Sequence, residues 1–225
     1  SIKAHHNEIV SDYGFMKSDF LTFVETRCKD HYRFTHAKIN NFKCNYMSYG
    51  TLLNSSVGQL FYTSDKSAFS LDKIADNRHL INFNSDDILE MLFLNASHRK
   101  IGHITIGSIY KHPNKSKESF INDFCKFVHD THSLEHKFKN TPTIIFGDFN
   151  YDFTELQHNN IVQIFKNYTL LPTILGPTTK TKRQIDWCFT NFSNFSTIKD
   201  VEINKYQSYS SDHNPLYCYF NFNKA

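Results

Sequence analysis

No apolar run in the sequence approaches the roughly 20 residues that cross a bilayer, so no membrane partner is expected. The first residues, SIKAHHNEIV, have neither the basic nor the apolar region of a secretory signal. An intracellular place, the nucleus included, is expected over a secreted one. The cysteines Cys28, Cys44, Cys125, Cys188 and Cys218 are odd in number and form no CxxC pair or zinc-type spacing. They read as reduced, mostly buried thiols. With only 7 glycines and 5 prolines there is no flexible linker, and no internal repeat or low-complexity segment breaks the chain. Residues 1–225 are therefore expected to form one domain. A formal charge of +3 rules out a long acidic or basic tail. It allows nucleic acid as a partner without arguing for it.

What is present is many strand-like runs and few helical ones. Ile9, Val10, Tyr13 and Met16 recur at near-helical spacing between Glu8 and about Ser18. ESFINDFCKFVHDTHSLEHKF (118–138) predicts one long helix with Phe120, Ile121, Phe124, Phe127 and Val128 on a stripe, and LQHNNIVQIFKNY (156–168) a shorter one. Strands are predicted in DFLTFVETR, QLFYTS, ILEMLFLNAS, IGHITIGSIY, TPTIIFGDFN, RQIDWCFTN and NPLYCYFNF. Consecutive strands with few helices point to α/β architecture in which two mixed sheets pack face to face and helices lie outside, a four-layer sandwich.

Chemically capable residues fall at the ends of these strands. Glu25 closes one, Tyr110 another and Asp148 and Asn150 a third, Asp186 lies in a fourth, and Ser211, Asp212 and His213 precede the last. Strand ends are where loops gather into a site. If Asp148 and Asn150 continue their strand, they share a face about two rises apart, roughly 6 to 7 Å. Four carboxylates converging on one place raise each other's pKa unless a cation neutralises them. A hard divalent cation with oxygen ligands resolves the conflict, and Mg2+ beside a His suits phosphoester hydrolysis.

FVETR, SIYKHPN, IIFGDFN, RQIDWCFTN and SDHNPLYC occur in an order that resembles the endonuclease/exonuclease/phosphatase superfamily, from about residue 8 to the C-terminus. The superfamily includes deoxyribonuclease I, apurinic endonucleases and the endonuclease domains of LINE-type retrotransposons. The resemblance implies that Glu25 is the main Mg2+ ligand, with Mn2+ as a substitute, and that Asp212 is a further metal-site carboxylate. Asp148 would orient or deprotonate the attacking water, and Asn150 would hold the scissile phosphate. His213 would bind phosphate with Asp186 fixing its tautomer, and Tyr110 would donate to the phosphate. Lys111, His112, Lys180, Lys182 and Arg183 are the candidate substrate contacts. The stretch TTKTKRQ reads equally as a solvated loop.

One departure concerns the superfamily's first core strand, which ends in a metal-supporting Asn and precedes the helix beginning near His6. No Asn here can be assigned to it, so the strand is expected to be missing or the chain to be a fragment. The leading expectation is a nicking endonuclease of a mobile element or virus, acting on the DNA phosphate backbone and joined to other domains of a polyprotein. A same-fold hydrolase of RNA, a nucleotide or a phosphoinositide stands beside it. So does a catalytically degenerate domain that binds nucleic acid or protein.

Overall fold

A computed structural model describes residues 13–26, 38–47, 58–77, 88–155, 159–205 and 211–222. Its eleven described strands are β1 (Phe20–Phe23), β2 (Phe42–Met47), β3 (Leu60–Ser64), β4 (Ser70–Asp76), β5 (Leu89–His98), β6 (Gly102–Lys111), β7 (Thr143–Asp148), β8 (Leu171–Thr173), β9 (Asp186–Thr190), β10 (Ile198–Lys205) and β11 (Leu216–Phe222). The helices are α1 (Tyr13–Lys17), α2 (Lys117–Asp130), α3 (His132–Asn140) and α4 (Asn159–Asn167). The helix expected from Glu8 is described only from Tyr13; the region of the first core strand lies outside the described residues.

A six-stranded sheet runs in the order β4-β5-β6-β7-β9-β8. Among the described strands, only β6 and β7 are parallel, joined through α2 and α3. A parallel pair needs such a crossover because a short turn cannot return the chain to the same end of the sheet. Opposite lies a second layer of antiparallel strands, described as a three-stranded sheet β1-β3-β2 and a two-stranded pair β10-β11.

Both faces of the large sheet are buried, so its strands read as continuous apolar runs whose alternate residues enter different cores. Leu89, Met91 and Phe93 of β5 pack with α2, α3 and α4, while Leu92, Leu94 and Ala96 face the second layer. The helix-side core is dense in rings. Phe165 and Phe189 stack with centroids 3.9 Å apart at 11°, and Trp187 stacks on Phe149 at 4.9 Å. Each such side chain, fully buried, contributes roughly 1.5 to 3 kcal/mol. On the far side of the second layer, Phe15 and Met16 of α1 cover Leu21, Leu60 and Tyr62. Helix, sheet, sheet and helix thus form the four layers expected.

The single helix predicted over 118–138 is two. Thr131 leaves helical geometry at φ −100° and ψ 73°, ending α2 and starting α3. The β-branched residue is a poor helix former, and the break lets Leu134 and Phe138 enter the core from a new direction. In α2, Ser116 caps the first turn by accepting from the Ser119 amide.

Candidate active site

Register brings the functional residues into line. Glu90 of β5 lies opposite Tyr110 of β6, Tyr110 opposite Asp148 of β7, and Asp148 opposite Asp186 of β9. Directly paired residues share a face. Leu92, Ile106, Ile144 and Cys188 of the same strands pack toward the second layer. Two-residue alternation therefore places this row of four on the face that looks into the gap between the layers.

Asp148 ends β7 and is 4% exposed. The chain then turns, with Phe149 donating to the Ile185 carbonyl at 2.9 Å and Asn150 at φ 52°. Asn150 is therefore not a further strand residue. A left-handed turn, and not strand alternation, brings it to Asp148: its amide N–H donates to Asp148 Oδ1 at 2.9 Å. Its side-chain Nδ2 donates to the Lys111 carbonyl at 2.8 Å, tying the turn to the end of β6. Asn is among the few residues that adopt this conformation readily.

His213 sits across from Asp186, its Nδ1 at 3.0 Å from both carboxylate oxygens. That pair leaves Nε2 as the nitrogen on the other side of the ring. The Asp186 hydrogen bond, its charge, and the charges of Asp148 and Asp212 raise the imidazole to about 9 against the opposing effect of burial. Burial, then the charges of Asp186 and Glu25, push the Asp148 carboxyl up to about 7, while His213 and the Asn150 amide pull it down. Donor atoms of Asp148, Asp186 and His213 all lie within 4.8 Å of one another. Such an oxygen-rich set, with one carboxyl driven toward its neutral form by burial and then by neighbouring carboxylates, fits a divalent cation, which would hold it ionised.

The two residues assigned to the metal from sequence stand outside this trio. Glu25 follows β1 in a bend at φ 51° and acts on Asp148 through its charge. Asp212 is exposed, and its carbonyl accepts from the Lys180 amide at 2.9 Å. Tyr110 is 1% exposed, packed with Ile88 and Val24.

The basic candidates divide. Lys111, a candidate substrate contact, is fully buried, and Nζ donates inward to the carbonyls of His112 (2.6 Å), Pro113 (3.2 Å) and Lys115 (3.1 Å). The same ammonium lies 3.9 Å from the centre of the Tyr151 ring. It is a staple for the loop that follows β6. His112 is half-buried in that loop and accepts from the Asn114 amide at 3.3 Å. Lys180, Lys182 and Arg183 are exposed on the 178–184 loop. That loop is more than a solvated connection, because Thr178 accepts from the Asn214 amide at 2.7 Å and Thr179 forms an isolated bridge with His213.

Sequence reading missed Thr178 and Glu90. Thr178 Oγ1 accepts from the amides of Ile185 (3.2 Å) and Asp186 (3.1 Å), fixing the start of β9. Nothing in TTKTK signals that role. Glu90 is 2% exposed, and the signal was a single carboxylate inside the apolar run ILEMLFL.

No protein-family model matches the sequence, and no curated protein matches it significantly. Solved structures do match. The endonuclease domain of TRAS1, a telomere-specific non-LTR retrotransposon, superposes with TM-score 0.63 at 16% identity, over 99% of this chain and 93% of that one. The human Nocturnin catalytic domain with bound sulfate gives 0.66 at 15%, over 98% and 86%. The mannosyl-6-phosphatase Bt3783 of Bacteroides thetaiotaomicron gives 0.61 at 14%, over 98% and 90%. The fold is that of the endonuclease/exonuclease/phosphatase proteins. Among the described residues, no helix is long and apolar enough to cross a membrane.

Proposed function

We propose that the chain is a divalent-metal-dependent phosphodiesterase that nicks DNA, in the manner of a mobile-element endonuclease. The observation that carries this reading is the trio of Asp148, Asp186 and His213 within 4.8 Å, with Asn150 hydrogen-bonded to Asp148. Asp148, Asp186 and Glu25 would hold Mg2+, which supplies charge neutralisation at the phosphate. Asp148, held ionised, takes a proton from or aligns the attacking water. His213, kept cationic by Asp186, donates from Nε2 to a phosphate oxygen, where negative charge grows in the transition state. Asn150 positions the phosphate from the turn that Lys111 anchors.

The choice of DNA rests on the exposed Lys180, Lys182 and Arg183 of a loop whose Lys180 amide bonds the Asp212 carbonyl, next to His213, and whose Arg183 lies 3.7 Å from Asp152. Three exposed cations on one loop suit a backbone that continues past the cleaved bond. A small phosphoester is the second reading, favoured by a cavity of about 400 Å3 at Asn150 that Tyr151, Lys117 and Arg183 line together with Glu118 and Glu155. Two carboxylates there would accept from sugar hydroxyls more readily than they would tolerate another phosphate.

Supercoiled plasmid, RNA and sugar phosphates, each with and without Mg2+, decide between them. Metal-dependent nicking that Asp148→Ala and His213→Ala each reduce by about 10^2 to 10^4 is the expected result. Phosphate release from a sugar phosphate with plasmid left intact would establish the second reading instead.

A further inference from the structure

Glu90 is a buried carboxylate that the proposed chemistry does not use. Taking such a charge from water costs several kcal/mol, so its hydrogen bonds define what it is for. It stands in the row with Tyr110, Asp148 and Asp186 but is directed elsewhere: Oε2 accepts from the Gly58 amide at 2.8 Å. The Gly58 carbonyl in turn accepts from the Thr26 amide at 3.1 Å, and Thr26 directly follows Glu25. Gly58 has φ 123°, open to glycine and strained for other residues. Next to it, Gln59 Nε2 donates to the Glu90 carbonyl at 3.2 Å, a second tie between the same two segments.

Glu25 needs such a support. At φ 51° its backbone occupies a region that costs a residue with a Cβ on the order of 1 kcal/mol or more, and surroundings must impose it. The bend turns the chain out of β1 to where the Glu25 charge is felt at Asp148.

We propose that Glu90 is a positioning residue that docks Glu25 into the metal-binding group by anchoring Gly58, and through Gly58 the Thr26 amide. This rests on the reading of Glu25 as a metal ligand. It assigns Glu90 no contact with metal or substrate. The hydrogen bond matters and the charge does not, because an amide oxygen at the same position also accepts from Gly58.

The test uses Glu90→Gln and Glu90→Ala in the full chain, with Mn2+ binding read directly by electron paramagnetic resonance and the Mg2+ dependence of nicking measured beside it. Glu90→Ala should weaken Mn2+ binding about 10- to 100-fold, the usual effect of losing a group that orients a ligand. It should raise the half-maximal Mg2+ concentration alike, while excess Mg2+ returns the rate. Glu90→Gln should stay within about threefold of the parent, and faster exchange of the Thr26 amide should appear in Glu90→Ala alone. Unchanged Mn2+ affinity in Glu90→Ala overturns the proposal. So does a loss in Glu90→Gln equal to that of Glu90→Ala or of Glu25→Gln, since the charge would then act on the metal itself; Glu90→Gln keeps this arm decisive if Glu90→Ala fails to fold. A parent that binds Mn2+ but cleaves no substrate sinks the hydrolase reading and leaves the binding arm to decide on Glu90. A parent that binds no Mn2+ overturns both.

Discussion

Two basic loops border the candidate site, and they use their lysines in opposite ways. In 111–116 the ammonium of Lys111 is enclosed by three carbonyls and a ring, and that of Lys115 is bound by Ser119 at 2.9 Å and Asp123 at 2.7 Å. In 178–184 the cations of Lys180 and Lys182 are at the surface, and backbone amides and threonine hydroxyls do the fastening. A positive charge near a candidate site is therefore no guide to whether its donors face outward. Burial is, because a cation already bonded inside the fold has none of its donors to give.

The largest effect should come from Lys111→Met. Removing the ammonium strands its carbonyls, so stability should fall by about 3 kcal/mol or more and Tm by roughly 6 to 12 °C in a thermal scan. The loss carries to Asn150, whose amide bonds the Lys111 carbonyl. A stable variant with weakened DNA binding would reverse the roles given to the two loops.

Thr178→Val tests the fastening of the other loop. Losing the acceptor for the Ile185 and Asp186 amides should cost about 1 to 3 kcal/mol in denaturant unfolding and loosen the His213–Asp186 pair.

Converting Lys180, Lys182 and Arg183 together to Ala should leave Tm within about 1 °C while cutting DNA affinity. The salt dependence of binding should flatten by about one unit of log-log slope for each phosphate left without its cation. An unchanged slope would make this loop as structural as the first.

Between the loops the site has its own pH signature in metal-free protein. Asp148, raised from 3.8 to about 7, gives stability that is full below about 4 and lost as pH climbs through 7. His213, raised from 6.5 to about 9, gives stability that is full below 6.5 and lost through 9. Tm in EDTA should therefore decline from pH 5 to 9, and added Mg2+ should raise Tm more at pH 8 than at pH 5.5. The smallest effect is expected at Gln184, whose buried carboxamide has no hydrogen-bond partner among the described residues. Gln184→Met should stabilise by about 1 kcal/mol, measured by urea unfolding.

Most strands were legible in the sequence: β1, β3, β7, β9 and β11 fall within the runs predicted, and β5 and β6 overrun theirs by one residue. Those missed are edges or half-exposed. β4 (SLDKIAD) and β10 (IKDVEINK) carry charges on their open faces, and β8 is three residues long with Pro172 at its centre. Edge strands often carry charge for protection, which erases the apolar alternation a reader looks for. In the site, ordered motifs pointed to Asp148, Asn150, Asp186 and His213, which the fold brings together. What the sequence did not show for Lys111 is its burial, which turns its donors toward backbone carbonyls. The role of Thr178 is invisible in a polar loop because it depends on how the loop folds back to bring the Ile185 and Asp186 amides to its hydroxyl.

The row of Glu90, Tyr110, Asp148 and Asp186 crosses four strands, and its meaning extends to how the chain assembles. A strand that slips by one residue turns every side chain to the opposite face. For β7 such a slip would drive Asp148 into the aromatic packing around Phe120 and Phe165 and bring Phe149 out of it to the gap between the sheets. Mispaired intermediates would therefore carry a charge in oil and a ring in water, and would come apart before the helices lock over them. Residues read as an apparatus for hydrolysis would also proofread the alignment of the sheet that holds them.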